Sequence, residues 1–230
     1  NIGTLIWSKS MEMNDMEKPD FLKNAMRNLS IPVITMEKYG FDCPGVDILF
    51  DYEKGGYMAT RHLIECGHRR IGCVAGKQSF HVTMQRLNGY KKALEESGIS
   101  YDPDLVYFGD YTMESGYEAF SYILGQKVTA IFSMNDEMAF GIYRAARLYG
   151  VSIPEDISII GFDNVPFADV MQVPLTTIGV PVIEMGKKLG EKVVELIDNK
   201  EKLKEREEIL YTPRLLVRGS TKSIPPVTVI

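Results

Sequence analysis

Asn135, Asp136 and Asp163 are the residues of this chain best placed to do chemistry, and the chemistry they suit is binding. The runs Phe132-Ser-Met-Asn135-Asp136, Ile157-Ser-Ile-Ile-Gly161-Phe-Asp163-Asn164 and Pro174-Leu-Thr176-Thr177-Ile178 each read as a buried strand whose carboxyl end carries a polar residue. In open α/β sheets the ligand crevice lies outside the carboxyl ends of the strands, so these side chains aim at a ligand rather than at bulk surface. Asp163 can accept two hydroxyl bonds, and Asn135 repeats that geometry one strand over. Asp136 either caps the next helix or joins them. Planar polar groups offering two partners each, backed by an aromatic face, suit a ligand rich in hydroxyls on an apolar C–H ring.

No catalytic constellation competes with this. His62, His68 and His81 lack metal-ligand spacing with the cysteines, and Gly-Xaa-Ser-Xaa-Gly and phosphate-loop patterns are absent. The chain reads as a binding protein rather than an enzyme, with no metal and no cofactor implied. His68 follows Gly67 at a helix end, where a charged or capping role is expected. Cys43, Cys66 and Cys73 are odd in number, which favours reduced thiols in the cytoplasm over a disulfide framework.

The 230 residues suffice for one large domain or two lobes, and 45% hydrophobic content supplies a core. A net charge of -5 argues against gripping nucleic acid by electrostatics, which needs a surplus of Lys and Arg. No apolar run of about eighteen residues marks a membrane span.

To position the polar residues, strands and helices must alternate, and they do. Strands are expected at Ile2 to Trp7, Ile31 to Met36, Val46 to Phe50, Ile71 to Ala75, Leu105 to Gly109, Val128 to Met134 and Ile157 to Phe162. Helical spacing follows in Phe21 to Leu29, from Gly55-Gly56 to a stop at Gly67, from Arg86 to a stop at Gly98, in Ser115 to Leu124, up to Arg147, and in Ile183 to Ile197. Charged residues around Glu205 to Glu208 read as a solvated helix end or linker. The alternation implies an α/β fold with mainly parallel sheets and helices on both faces.

The three opening blocks are joined by Asp51-Tyr-Glu-Lys-Gly55-Gly56-Tyr-Met-Ala59 running on to Gly67-His68-Arg-Arg70-Ile71, by Arg86-Leu-Asn-Gly89-Tyr-Lys-Lys-Ala93-Leu94, and by Leu215-Leu-Val-Arg218-Gly-Ser220-Thr221. In order and spacing they resemble the sugar-responsive regulatory domain of the lactose repressor family, LacI/GalR. The resemblance implies a periplasmic-binding-protein type I fold, two Rossmann-like lobes joined by three crossover strands with the ligand enclosed between them. The N-terminal lobe would hold residues 1–50 plus 181–206, and the C-terminal lobe 51–180 plus 207–230. Relatives carry two further strand and helix units before the segment matching Asn1 to Trp7, preceded by a helix-turn-helix headpiece. The N-terminal lobe is therefore expected to be truncated, because a parallel sheet without its inner strand exposes unpaired backbone groups.

On the same resemblance Arg86, expected just inside a helix start, matches the position whose guanidinium forks adjacent hydroxyls. Tyr111 matches a ring beneath the ligand, or is a loop anchor, and Glu37 matches an acidic contact in the N-terminal lobe, or is a solvated charge. Trp7, at a strand's carboxyl end, stacks on the sugar or packs in the core. Losing Arg86 or Asp163 is expected to weaken binding by roughly 1.5–3 kcal/mol with little loss of stability. The implied protein is a cytoplasmic homodimeric transcriptional regulator with no membrane segment. It takes a sugar or sugar derivative as effector and binds operator DNA through a headpiece absent from this chain. The rival reading is the sugar-binding receptor of an ABC transporter, which shares the fold.

Overall fold

The segments at 71–75, 130–133 and 158–163 are apolar on both faces, and such strands belong inside a parallel sheet covered by helices. The structure, a computed structural model, describes residues 5–7, 33–36, 45–199 and 206–225. The chain divides into two units. One takes the described residues up to Asp51, the short stretch Ser79–His81 and Pro181–Thr212; the other takes Tyr52–Gln78, Val82–Val180 and the residues from Pro213 onward.

The first unit holds a parallel sheet of β1 (Leu5–Trp7), β2 (Val33–Thr35), β3 (Gly45–Phe50) and β9 (Arg206–Tyr211), in that order. Strand β9 corrects two expectations. The stretch read as a helix end or linker becomes, from Arg206, a strand paired with β3 along all six residues, so this unit extends to Thr212 instead of ending at 206. The charges that suggested solvation tie the strand down from its exposed edge. Arg206 Nε donates to Asp47 at 3.0 Å, and Glu207 pairs with Lys192 of a helix at Val182–Asp198.

In the second unit the sheet order is β10-β8-β7-β6-β4-β5, built from β4 (Ile71–Ala75), β5 (Val106–Phe108), β6 (Ala130–Ser133), β7 (Ser158–Asp163), β8 (Thr176–Gly179) and β10 (Arg214–Leu216). Only β10 runs antiparallel among these described strands. Ile131, Phe132, Ile159, Ile160 and Phe162 are completely buried at its centre. The chain passes from β4 out to β5 and returns to β6 on the other side of β4, which places the topological switch point between the carboxyl ends of β4 and β6.

Helices α1 (Tyr52–Glu65), α2 (His81–Glu96), α3 (Met113–Gly125) and α4 (Asp136–Leu148) connect these strands. Gly67 and Gly98, expected as helix stops, adopt φ of +95° and +66°, the left-handed conformation that suits glycine after a helix. Helices α3 and α4 meet through glycine. A Cβ on Gly116 would strike the Met138 carbonyl oxygen, and one on Gly141 the Met113 carbonyl oxygen. Helix α2 begins at His81, so Arg86 lies in its second turn rather than just inside a later start.

Candidate functional site

The switch point is where the polar residues converge. Arg86 is 6% exposed; its guanidinium donates to the Met134 carbonyl just beyond β6 and pairs with Asp163 Oδ1 at 3.3 Å. Its central carbon lies 3.9 Å from the centroid of the Phe162 ring, 5.0 Å from that of Tyr52 and 5.8 Å from that of Tyr111. A guanidinium is planar and weakly hydrated, so aromatic faces can hold it while its fork stays directed at acceptors. Its Nε is buried without a hydrogen-bond partner.

The Gly55-Gly56 pair gives this arrangement its room. A Cβ on Gly55 would run into the Phe162 ring, and one on Gly56 into the Arg86 carbonyl oxygen; on the facing helix, a Cβ on Gly89 would strike the Glu53 carbonyl oxygen. Glycine inside a helix costs about 0.5–1 kcal/mol relative to alanine. Here it lets α1 press onto Phe162 and the α2 backbone, setting the depth of the Arg86 side chain.

Asp163 ends β7 with φ +108°, and Asn164 follows at +59°. The Asp163 side chain is 35% exposed, open enough to receive a ligand. Burial pushes its carboxyl up, and the neighbouring Arg86 charge pulls it back without reversing the direction. Tyr111, also left-handed at φ +74°, lays its ring against Gly76, where a Cβ would overlap it, and its hydroxyl bonds Thr83 Oγ1 at 2.7 Å. Arg86, Asp163 and Tyr111 are thus brought together on the connections that follow β4, β7 and β5.

Asn135 is also here, but its amide is committed within the chain. Its Oδ1 accepts from Met138 N–H at 2.9 Å as the N-cap of α4, its Nδ2 donates to the Tyr111 carbonyl at 2.9 Å, and it is 8% exposed. It reaches the site by holding the Tyr111 loop. The cap therefore belongs to Asn135, not Asp136. Asp136 is the first residue of the helix, fully buried, with Oδ1 accepting from Thr177 Oγ1 at 2.6 Å and Oδ2 from Val165 N–H at 2.9 Å. Trp7 closes β1, but its side chain lies outside the described residues, as does Glu37.

Residue types alone did not reveal Phe162, Tyr52, Thr83 or the Gly55-Gly56 pair as parts of the site. The legible signal was the pair of glycines within a helical pattern, which marks a close backbone approach. His68 is also structural. It is buried at the opposite end of the strands, bonding Thr129 Oγ1 at 2.9 Å, Ser158 Oγ at 3.1 Å and the Lys222 carbonyl at 3.2 Å. Among the described residues no group of three or more His, Cys, Asp or Glu could hold a metal ion.

Residues 60–221 match the family model of a periplasmic binding protein-like domain. The chain is 36% identical over 208 residues to the HTH-type transcriptional repressor PurR of Photobacterium profundum, covering 89% of this chain and 61% of that protein. Among solved structures it is similar to the transcriptional regulator CelR in complex with cellobiose (31% identity, TM-score 0.79, 94% of this chain and 64% of that one). It is similar also to a regulatory protein of the LacI family from Chloroflexus aggregans (30% identity, TM-score 0.78, 96% and 77%). The chain spans about 60% of the length of such curated relatives as PurR.

Proposed function

This chain belongs to the LacI family of transcriptional regulators, as its periplasmic binding protein-like domain, and from that premise we propose that it is the effector-sensing core of a regulator responding to a sugar or sugar derivative. The observation that carries the reading is the Arg86–Asp163 pair at the switch point, backed by Phe162, Tyr52 and Tyr111. A buried fork beside a partly open carboxylate offers donors and acceptors to adjacent hydroxyls, and the rings offer faces to the C–H surface. Asn135 supports Tyr111 from behind. Cellobiose in the CelR complex is a ligand of that chemical class.

In this reading the ligand acts by population shift. It alters DNA affinity only by its differential affinity for two arrangements of the regulator. Operator DNA is read by a headpiece outside this chain, in a cytoplasmic protein, and no helix among the described residues is long and apolar enough to cross a membrane. The transporter-receptor alternative finds no favour among relatives that are regulators. A homodimer is supported by a groove of about 780 Å³ on the second unit, lined by Phe140, Tyr143, Leu148, Val151, Phe167 and Met171. Leu148 and Phe167 are 64% and 59% exposed there, an apolar face that a second copy of the chain would cover.

Calorimetry with a panel of pentoses, hexoses and disaccharides, cellobiose included, tests the site. Reversible binding that Asp163→Ala weakens at least tenfold supports it; binding by the wild type that survives Asp163→Ala unchanged overturns it.

A further inference from the structure

Asp136 is fully buried, is not open to a ligand, and lies directly behind the turn that presents Asp163. Two successive non-glycine residues of that turn, Asp163 and Asn164, occupy positive φ, a strain that the surroundings must offset. The offset converges on one carboxylate. Asp136 accepts from Val165 N–H at 2.9 Å and Thr177 Oγ1 at 2.6 Å, and the Asn164 backbone bonds to it as well. Strand β7 is cut away to admit it, for a Cβ on Gly161 would collide with Asp136 Oδ1.

We infer that Asp136 is the positioning residue of the ligand turn: its ionised carboxylate gathers these donors and holds Asp163 opposite Arg86, so that protonating it weakens ligand binding. This consequence rests on the effector-site reading above. Three donors suit an acceptor-only group; a protonated carboxyl must itself donate and keeps less acceptor capacity. Burial pushes Asp136 up to about 6, with the Thr177 and Val165 hydrogen bonds opposing it, so the switch falls within a range that cells and assays reach. The titratable groups facing it are Asp163 from the turn and Tyr143 from its own helix, while β7 and β8 present uncharged Gly161 and Thr177. The nearby cations bind the turn's own side chains: Arg86 pairs with Asp163, and Arg218 donates to Asn164 Oδ1 at 2.8 Å.

The test follows the Val165 amide of the full chain by NMR as a function of pH, in the wild type, Asp136→Asn and Asp163→Asn, with thermal melts confirming that each is folded. A transition near pH 6 that persists in Asp163→Asn and disappears in Asp136→Asn supports the assignment. A transition that persists in Asp136→Asn, or its absence from the wild type, overturns it. In calorimetry with cellobiose, Asp136→Asn should bind about tenfold more weakly at pH 7.5. The wild type should lose about fivefold on going one unit below the midpoint, where roughly a tenth of the carboxylate remains and the protonated rest binds about as weakly as Asp136→Asn. Affinity unchanged by Asp136→Asn also overturns the inference. The amide transition is read without sugar, so a failed sugar assignment and a failed positioning role give different results.

Discussion

Replacing Arg86 with alanine should make the second unit easier to unfold as well as empty its site. The side chain is 6% exposed, donates to the Met134 carbonyl, pairs with Asp163 and lies 3.9 Å from the Phe162 ring centroid. A hydrogen bond from a charged group contributes about 1.5–3 kcal/mol, and losing it leaves a carbonyl unpaired. The ring contact adds about 0.5–2 kcal/mol. The ion pair adds at most about 1 kcal/mol, because the Asp163 carboxylate is a third exposed and screened by solvent. These terms share one side chain, and desolvating the guanidinium offsets part of them, so a net loss of about 3 kcal/mol is expected. In a chain of this size that corresponds to about 6–12 °C in Tm. Arg86→Lys keeps the charge but not the plane or the fork, and should fall between the two. Urea unfolding, with hydrogen exchange of the 71–75 and 130–133 segments to locate the effect in the second unit, measures it. Arg86→Ala within about 0.5 kcal/mol of the wild type would refute the reasoning and return Arg86 to the role of a ligand contact whose loss spares stability.

Gly116→Ala should cost about 1–3 kcal/mol in urea unfolding, because its Cβ would strike the Met138 carbonyl where α3 and α4 cross; a neutral result would mean the helices separate at little cost. Burial lowers His68 below its ordinary value of 6.5, so the fold favours its neutral form. The stability His68 contributes is complete above 6.5 and is lost as pH falls through the lowered folded value. Asp136 works in the opposite sense, since its raised pKa makes protonation favour the fold, so the comparison must be with His68→Gln. Melting temperatures between pH 7.5 and 5 should fall more steeply in the wild type than in that variant, and parallel curves would remove the effect. Leu148→Glu should convert a dimer to a monomer in light scattering without disturbing unit folding, since Leu148 is 64% exposed at the apolar groove; an unchanged mass would place the interface elsewhere.

Much of this protein was determined by patterns that need no neighbours. Runs such as Ile71 to Ala75 and Ile157 to Phe162 are apolar on both faces, which commits them to inner parallel strands, and Gly67 and Gly98 end helices because no other residue sits as easily at positive φ. Asp163 and Asn135 could be picked out because side chains at strand carboxyl ends share one edge of the sheet, whereas Arg86 and Tyr111 were implied by the family resemblance. What each does there depended on distances between segments far apart in sequence. The 77 positions separating Arg86 from Asp163 hide an ion pair, and only packing shows that Phe162 and Tyr52 support the guanidinium. Asn135 reads as a ligand contact and Asp136 as a cap or a contact, and the roles are settled only when the helix start is fixed by which backbone N–H each can reach. The charged stretch from Glu205 to Glu208 reads as solvated because an edge strand keeps charge on its exposed side, and the pairing of β9 with β3 is a contact across more than 150 residues that no local pattern encodes.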